Sequence, residues 1–329
     1  MKKTIFLFLV LFLYLQMNAQ ENNDEKQKIQ AAIADKFPST RVLDFQYLQY
    51  LPADYDSKLL GQDFQSGQIK AHSKFKVAAN IPVYSKSKWN ITSSFNYKYE
   101  GIETRDVKDN TGIDALSYDR KYDFHYLSAA VSFTYFSILF KKPFIYNISI
   151  FADGTEKDVE RIKGFVGGSL VLKATANTKM TVGLLVFIDP ASPLPLTPTF
   201  TYEHKFQNSP WTLDFILPQR LLFKRDVFKN GRLSIGSELT SDGFYIYNTN
   251  PGYPSVYDYR QLEVRSGITY EHRISNAIIA TFKTGMANVF NSRITERGES
   301  TTDYIFSSKQ DATGYFNLGI SFNPFVKKK

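Results

Sequence analysis

Ile69-Lys70-Ala71-His72-Ser73-Lys74-Phe75-Lys76-Val77-Ala78-Ala79-Asn80-Ile81 is the stretch on which the fold turns. Its odd positions are apolar or small, and its even positions are mostly basic or polar. Successive side chains of a strand point to opposite faces, so this period of two predicts a strand with an apolar environment on one side and a polar one on the other. The pattern recurs after the short turn Tyr84-Ser85-Lys86-Ser87, where Trp89, Ile91, Phe95, Tyr97 and Tyr99 alternate with Asn90, Thr92, Ser94, Asn96 and Lys98.

Working outward, the same alternation predicts strands near 122–140, 143–153, 161–174, 179–188, 196–206, 210–217, 219–228, 231–247, 259–274, 277–290 and 314–325. A further strand near 41–51 precedes the first pair, which makes fourteen. The count falls to twelve if 210–228 forms one irregular strand or 41–51 lies outside the sheet. Connections around 141–143, 175–178, 207–210, 229–231 and 275–277 are short. Those at 52–66, 101–121, 248–258 and 291–313 read as long polar loops. Short turns on one side and long loops on the other are the pattern of an antiparallel up-and-down β-barrel in an outer membrane, with the turns facing the periplasm. Lipid cannot satisfy backbone N–H and C=O groups, so a sheet that crosses a bilayer must close on itself. A soluble sandwich or small barrel also alternates, but it has fewer long strands.

Composition agrees with an all-β transmembrane barrel. The 329 residues include 28 Phe, 21 Tyr and 2 Trp and no Cys. The absence of cysteine excludes thiol catalysis, cysteine-ligated zinc, disulfides and cysteine lipidation. Lys2 and Lys3, the apolar run Ile5–Leu15 and Met17-Asn18-Ala19 read as a signal peptide over 1–19, so the chain is expected to be exported. Its removal leaves 310 residues and lowers the formal net charge from +8 to +6. Residues 20–40 read as a periplasmic segment with a short helix, since Ile29, Ala32, Ile33 and Phe37 fall at spacings of three and four before Pro38. That helix suits either a cap on the barrel or a frayed tail. Residues 41–329 form the barrel.

The last strand alternates Tyr315, Asn317, Gly319 and Ser321 with Phe316, Leu318, Ile320 and Phe322 and runs on to Phe325. Its aromatic end resembles that of outer-membrane barrel proteins, which implies recognition by the barrel assembly machinery. Pro324 and the trailing Val326-Lys327-Lys328-Lys329 depart from that pattern. The second half, over about 160–325, resembles a family of functionally uncharacterised outer-membrane barrels of Gram-negative bacteria. That resemblance rests on Ile188-Asp189-Pro190-Ala191-Ser192-Pro193-Leu194-Pro195-Leu196, on Ile216-Leu217-Pro218-Gln219-Arg220, and on Gly236-Ser237-Glu238-Leu239 leading to Asp242-Gly243-Phe244-Tyr245. It implies a barrel in the outer membrane and no particular substrate or catalytic residues.

With the polar face as interior, the charged candidates for the lumen are Lys70, His72, Lys74, Lys76, Lys98, Arg220, Lys224 and Arg265, against Glu203, Asp214, Glu238 and Glu263. The surplus is basic. A wide lumen lined this way would pass small polar solutes and favour anions; a narrow one would be filled by salt bridges between the same residues. Pro190, Pro193 and Pro195 mark the outer rim, where a chain that cannot donate to the ladder either narrows the mouth or forms a rigid turn. Thr201-Tyr202-Glu203-His204 and Thr269-Tyr270-Glu271-His272 repeat one pattern beside two short turns, and Tyr202, His204, Tyr270 and His272 are expected as an interfacial girdle. No cofactor or metal is expected, because zinc, calcium and phosphate-loop motifs are absent. The four histidines lack a nucleophile arrangement, so an enzyme ranks below both a passive channel and a structural or adhesion barrel acting through its loops. Outer-membrane lipids and small solutes are the expected partners. Scattered basic residues on an exported chain disfavour nucleic acid.

Overall fold

Alternation of the kind seen at 69–81 recurs through the chain, and each recurrence is a strand. The computed structural model describes residues 37, 40–109, 118–189, 191–192 and 195–323. The predicted signal peptide, the 20–40 helix, Pro190, Pro193 and the tail beyond Asn323 lie wholly or mainly outside them. The sixteen strands are β1 (Leu43–Tyr50), β2 (Ala53–Leu59), β3 (Gln62–Ser85), β4 (Trp89–Asp109), β5 (Tyr118–Leu139), β6 (Lys142–Gly154), β7 (Val159–Ala174) and β8 (Thr178–Ile188), then β9 (Leu196–Lys205), β10 (Trp211–Leu217), β11 (Arg220–Val227), β12 (Gly231–Tyr247), β13 (Val256–Arg273), β14 (Ile278–Glu296), β15 (Phe306–Gln310) and β16 (Thr313–Phe322).

Each neighbouring pair is antiparallel, and β1 pairs with both β16 and β3, which closes the sheet. The closed ring contains fourteen strands, as the sequence predicts. The other two, β2 and β15, pair with each other and are inserted between β3 and β14 beyond the ends of β1 and β16. Three of the four polar stretches read as long loops are therefore in large part strand, while 248–255 is loop as expected. Residues 101–121 continue β4 and open β5, while 52–66 and 291–313 contribute β2, β15 and the ends of β3 and β14. Polar sequence misled there because an extended hairpin standing above a bilayer has water on its outer face and loses the alternation.

The exterior carries the apolar series. Phe95, Val131, Ile150, Ile188, Leu196, Met286 and Leu318 are each more than half exposed. Phe75 and Phe282 are 38% and 43% exposed, and Ile91 and Tyr97 are half-buried on the same outer face. Among charged groups on the inner face, Lys74 is 0% and Glu100 1% exposed. A water-soluble protein does not present a continuous apolar wall of this extent. Lipid is the solvent that matches it, and the architecture is that of an outer-membrane barrel. Ile150, on the outer face of β6 and four residues in from the Tyr135–Tyr146 aromatic pair, gives a direct check: Ile150→Lys should cost about 2–4 kcal/mol in urea unfolding from vesicles, as a cation near mid-bilayer does. Ser132→Lys, on the inner face of β5, should cost far less.

The ring is not round. Gly236, Gly267 and Gly285 lie side by side across β12, β13 and β14. A Cβ on any of them would lie 2.0–2.1 Å from a carbonyl oxygen of the adjacent strand, so only glycine permits that approach. Beyond this row the β12–β13 ladder has both faces covered: Phe244 and Gln261 are buried on one side, Tyr245 and Asp258 on the other. The hairpin has folded inward along the glycine crease. There it meets β5, which stands diametrically opposite β12 in the ring. On the long-loop side, β2–β5 and β12–β15 thus enclose a narrower tube, sealed between β5 and β12 by side chains rather than by a ladder.

Candidate functional site

The seal is aromatic and ionic. Phe244 stacks on Phe124 of β5 at 3.7 Å between ring centroids and on Tyr259 of β13 at 4.3 Å. Stacked rings contribute about 0.5–1.5 kcal/mol per pair beyond their burial, which favours contact between the walls over separation. Beside the stack, Asp242 receives cations from three strands. Lys74 Nζ and Lys76 Nζ of β3 donate to it at 3.0 and 2.8 Å, and Lys98 of β4 and Arg265 of β13 lie at 3.5 and 3.6 Å. Lys98 also donates to the Gly243 carbonyl at 2.6 Å.

Two further carboxylates complete this lattice. Glu100 forms ion pairs with Lys74 at 3.2 Å and Lys98 at 3.4 Å, and its Oε1 lies 2.8 Å from His72 Nε2. Glu263 accepts the Tyr50 hydroxyl at 2.7 Å, Thr240 at 3.1 Å and Arg265 Nε at 2.7 Å. Three carboxylates therefore face four cations. Bringing so many charges out of water is tolerable only because each has close opposite partners, and the loss of one partner leaves the others uncompensated.

Of the residues expected in the lumen, His72, Lys74, Lys76, Lys98, Glu263 and Arg265 converge in this lattice. Others form separate groups. Asp214 pairs with Arg220 at 2.9 Å and with Lys224, all on β10 and β11. Glu238 pairs with Lys283 at 2.8 Å, and Glu203 with Lys179 at 2.9 Å near a short turn. Lys70 is a correction. It occupies a bulge between Ile69 and Ala71, which throws its side chain out of phase, and it lies exposed beside Glu103 at 3.9 Å. Strict alternation cannot reveal a bulge.

Sequence reading did not single out the partners that matter most. Asp242 appeared only within a resemblance, and Asp153 not at all. Asp153 is buried and accepts Lys163, Tyr126 and Tyr245 at 2.6, 2.7 and 2.8 Å. Both acids sit where the folded-in hairpin meets the opposite wall, and the available signal was the glycines at matching positions of three consecutive strands. Below the seal lies a cavity of about 400 Å³, lined by Asp44, Gln46, Lys76, Asn96, Asp153 and Arg260 among others. Asn96 faces inward and is exposed, so the inner surface on the short-turn side is open to water.

At the outer rim Pro195 is exposed, and its carbonyl accepts Phe187 N–H at 2.8 Å. Ala191, in contrast, is fully buried, and its carbonyl accepts Arg260 Nη1 of β13 at 3.2 Å. Asp189 binds Arg161, which also holds Asp258 at 3.1 Å. Ala191 therefore reaches over the mouth to β13. Near the short turns, Tyr202 and His204 stack at 6.0 Å, and the Tyr270 hydroxyl lies 3.0 Å from His272 Nδ1. His125 lies on the outer face, 3.0 Å from the Tyr97 hydroxyl. Among the described residues no group of three or more His, Asp or Glu side chains is arranged to hold a metal ion.

No family model matches the chain. No curated protein matches it significantly. Solved structures give matches at low identity. An outer membrane channel from Pseudomonas putida F1 is 8% identical, with 88% of this chain and 98% of that one covered and a TM-score of 0.34. The transport unit of the autotransporter AIDA-I from Escherichia coli is 12% identical, with 92% and 98% covered and a TM-score of 0.37. The outer membrane phospholipase of Salmonella typhi, crystallised as a dimer with bound calcium, is 12% identical, with 91% and 98% covered and a TM-score of 0.33.

Proposed function

We propose that the barrel is a gated passage for small polar solutes, held shut by the Asp242 lattice, rather than a standing pore. The observation that carries this reading is the position of Asp242. It sits on a hairpin folded across the lumen, gathers three cations from the facing strands β3 and β4 and a fourth from β13 of its own hairpin, and lies directly over a polar cavity. A barrel built only to display its outer end has no use for a charged cavity beneath its seal. Four cations against three carboxylates give the gate a basic surplus, which favours anions when it opens. The lattice and the passage, alternatives at the level of sequence, become the closed and open states of one device.

Purified protein in a planar bilayer tests this reading. Wild type should be silent for most of a recording and show brief, small steps that become more frequent as the voltage rises. A steady large current would remove the gate. Complete silence, persisting in variants that dismantle the lattice, would remove the passage.

A further inference from the structure

The wall has a gap at membrane depth. The β9–β10 ladder ends at Phe200↔Leu217, and the β11–β12 ladder ends at Arg220↔Glu238. Leu217 lies level with Val182 of β8, through Phe200. Yet β8 continues its outward apolar series above that level with Leu184, Val186 and Ile188, all exposed. The turn joining β10 to β11 therefore stops well inside the apolar belt. Counting from Tyr270 in the girdle, it stands five residues up β11, which is about 13 Å in a belt about 25 Å tall.

Above this turn β8–β9 pairing runs on to Val186↔Leu196, and β12 runs on with β13 to Tyr247↔Val256. No strand intervenes between these two edges among the described residues. The inward fold of β12 draws its edge further away. The gap is bounded above by the contact from Ala191 to Arg260 and below by Gln219, whose carbonyl accepts Leu239 N–H at 2.8 Å. Pro198 stands on the β9 edge, where a residue without an N–H leaves no donor exposed to lipid.

A second observation lies just inside. Phe165, Leu185 and Phe187 belong to the inner face of β7 and β8 and are half-buried, with the two phenyl rings 6.0 Å apart. The inner face carries other apolar groups, at Leu48, Phe151, Leu222 and the Phe124–Phe244 stack, among its charged, amide and hydroxyl groups. Phe165, Leu185 and Phe187 are set apart by where they lie. These three lie at the height of the gap, where Leu185 pairs with Thr197 and Phe187 N–H bonds to Pro195. Apolar groups facing a water-filled lumen are unfavourable by about 25 cal/mol per Å² until something apolar covers them.

We propose that this gap is a lateral window through which the hydrocarbon chain of an outer-leaflet amphiphile enters and rests on Phe165, Leu185 and Phe187. The recess adjoins the polar cavity, since Lys163, which lines that cavity, is the inward residue of β7 next to Phe165. The proposal goes beyond solute passage because it concerns entry from the lipid side, and its test reads lipid contact rather than current.

The test uses full-length protein with Trp89→Phe and Trp211→Phe, reconstituted into vesicles of phosphatidylcholine brominated on its acyl chains. A single tryptophan is then introduced by Phe187→Trp inside the recess, by Val186→Trp on the lipid face, or by Ser132→Trp on the inner face of β5. Bromolipid should quench Phe187→Trp at least half as strongly as Val186→Trp and leave Ser132→Trp nearly untouched. Quenching of Phe187→Trp no greater than that of Ser132→Trp, with strong quenching by aqueous acrylamide, would overturn the window. Leu185→Trp gives the same reading should Phe187→Trp fail to fold. Loss of quenching in Val186→Trp would instead contradict the placement of the barrel in lipid.

Discussion

Asp242→Asn should convert a mostly silent barrel into one with long-lived, anion-selective current. The amide is nearly isosteric, so the Phe124–Phe244–Tyr259 stack keeps its shape, but Lys74, Lys76, Lys98 and Arg265 lose the carboxylate that they share. Glu100 and Glu263 cannot replace it, because each already serves its own partners. Removing one member of a buried ionic cluster costs about 3–5 kcal/mol, most of it repulsion among the charges left behind. Wherever separating the walls relieves that repulsion, the equilibrium between shut and open shifts by about a hundredfold or more. Single-channel recording reads the open fraction, and the reversal potential in a salt gradient reads the selectivity. Asp44→Asn is the control, since Asp44 lines the cavity and its hydrogen-bond partners among the described residues are the neutral Gln46 and Ser321. An open fraction in Asp242→Asn equal to that of the control would show that the lattice is scaffolding and gates nothing.

The fold was legible because a membrane barrel writes a two-residue period along every strand, and lipid enforces it. Fourteen strands around the ring follow from that period, as does the inward placement of Lys74, Lys76, Lys98 and Arg265. The period is local, and it carries no information about which residues meet across the lumen. Nothing in Asp242 marks it as the partner of Lys74, which lies 168 positions away. The bulge at Lys70 escapes for a related reason: it is a change in count, and alternation continues on both sides of it. The short β10–β11 hairpin is legible as strands, but its height is not. The segment Leu217-Pro218-Gln219-Arg220 reads as an ordinary tight turn. Its meaning comes from where the neighbouring ladders place it in the belt. Similarly, Gly236, Gly267 and Gly285 are unremarkable one at a time, and become a crease once the registers of β12, β13 and β14 align them.

That crease yields the second large effect. Gly267→Ala should prevent the folded-in hairpin from forming, because the new methyl would sit 2.1 Å from the Thr284 carbonyl oxygen and 2.8 Å from Gly285 Cα. Both obstacles are backbone, so no rotamer change can clear them, and the two strands must separate. Breaking the ladder at a site flanked by glycines on both sides should cost about 4 kcal/mol or more, at the severe end of single substitutions. Gly319→Ala supplies the contrast within the same sheet. There the nearest atoms lie at 3.4–3.5 Å, an ordinary contact distance, and two of the three belong to side chains. Replacing glycine in such an extended position removes backbone entropy from the unfolded chain, so Gly319→Ala should be neutral or stabilising by a few tenths of a kcal/mol. Urea unfolding of both variants in vesicles, followed by the heat-modified mobility of the folded band, separates them directly. If Gly267→Ala remains folded, its β12–β13 hairpin must stand away from β5, and its conductance should resemble that of Asp242→Asn. A variant that folded with wild-type stability and stayed silent would show that the wall does not turn inward at these glycines.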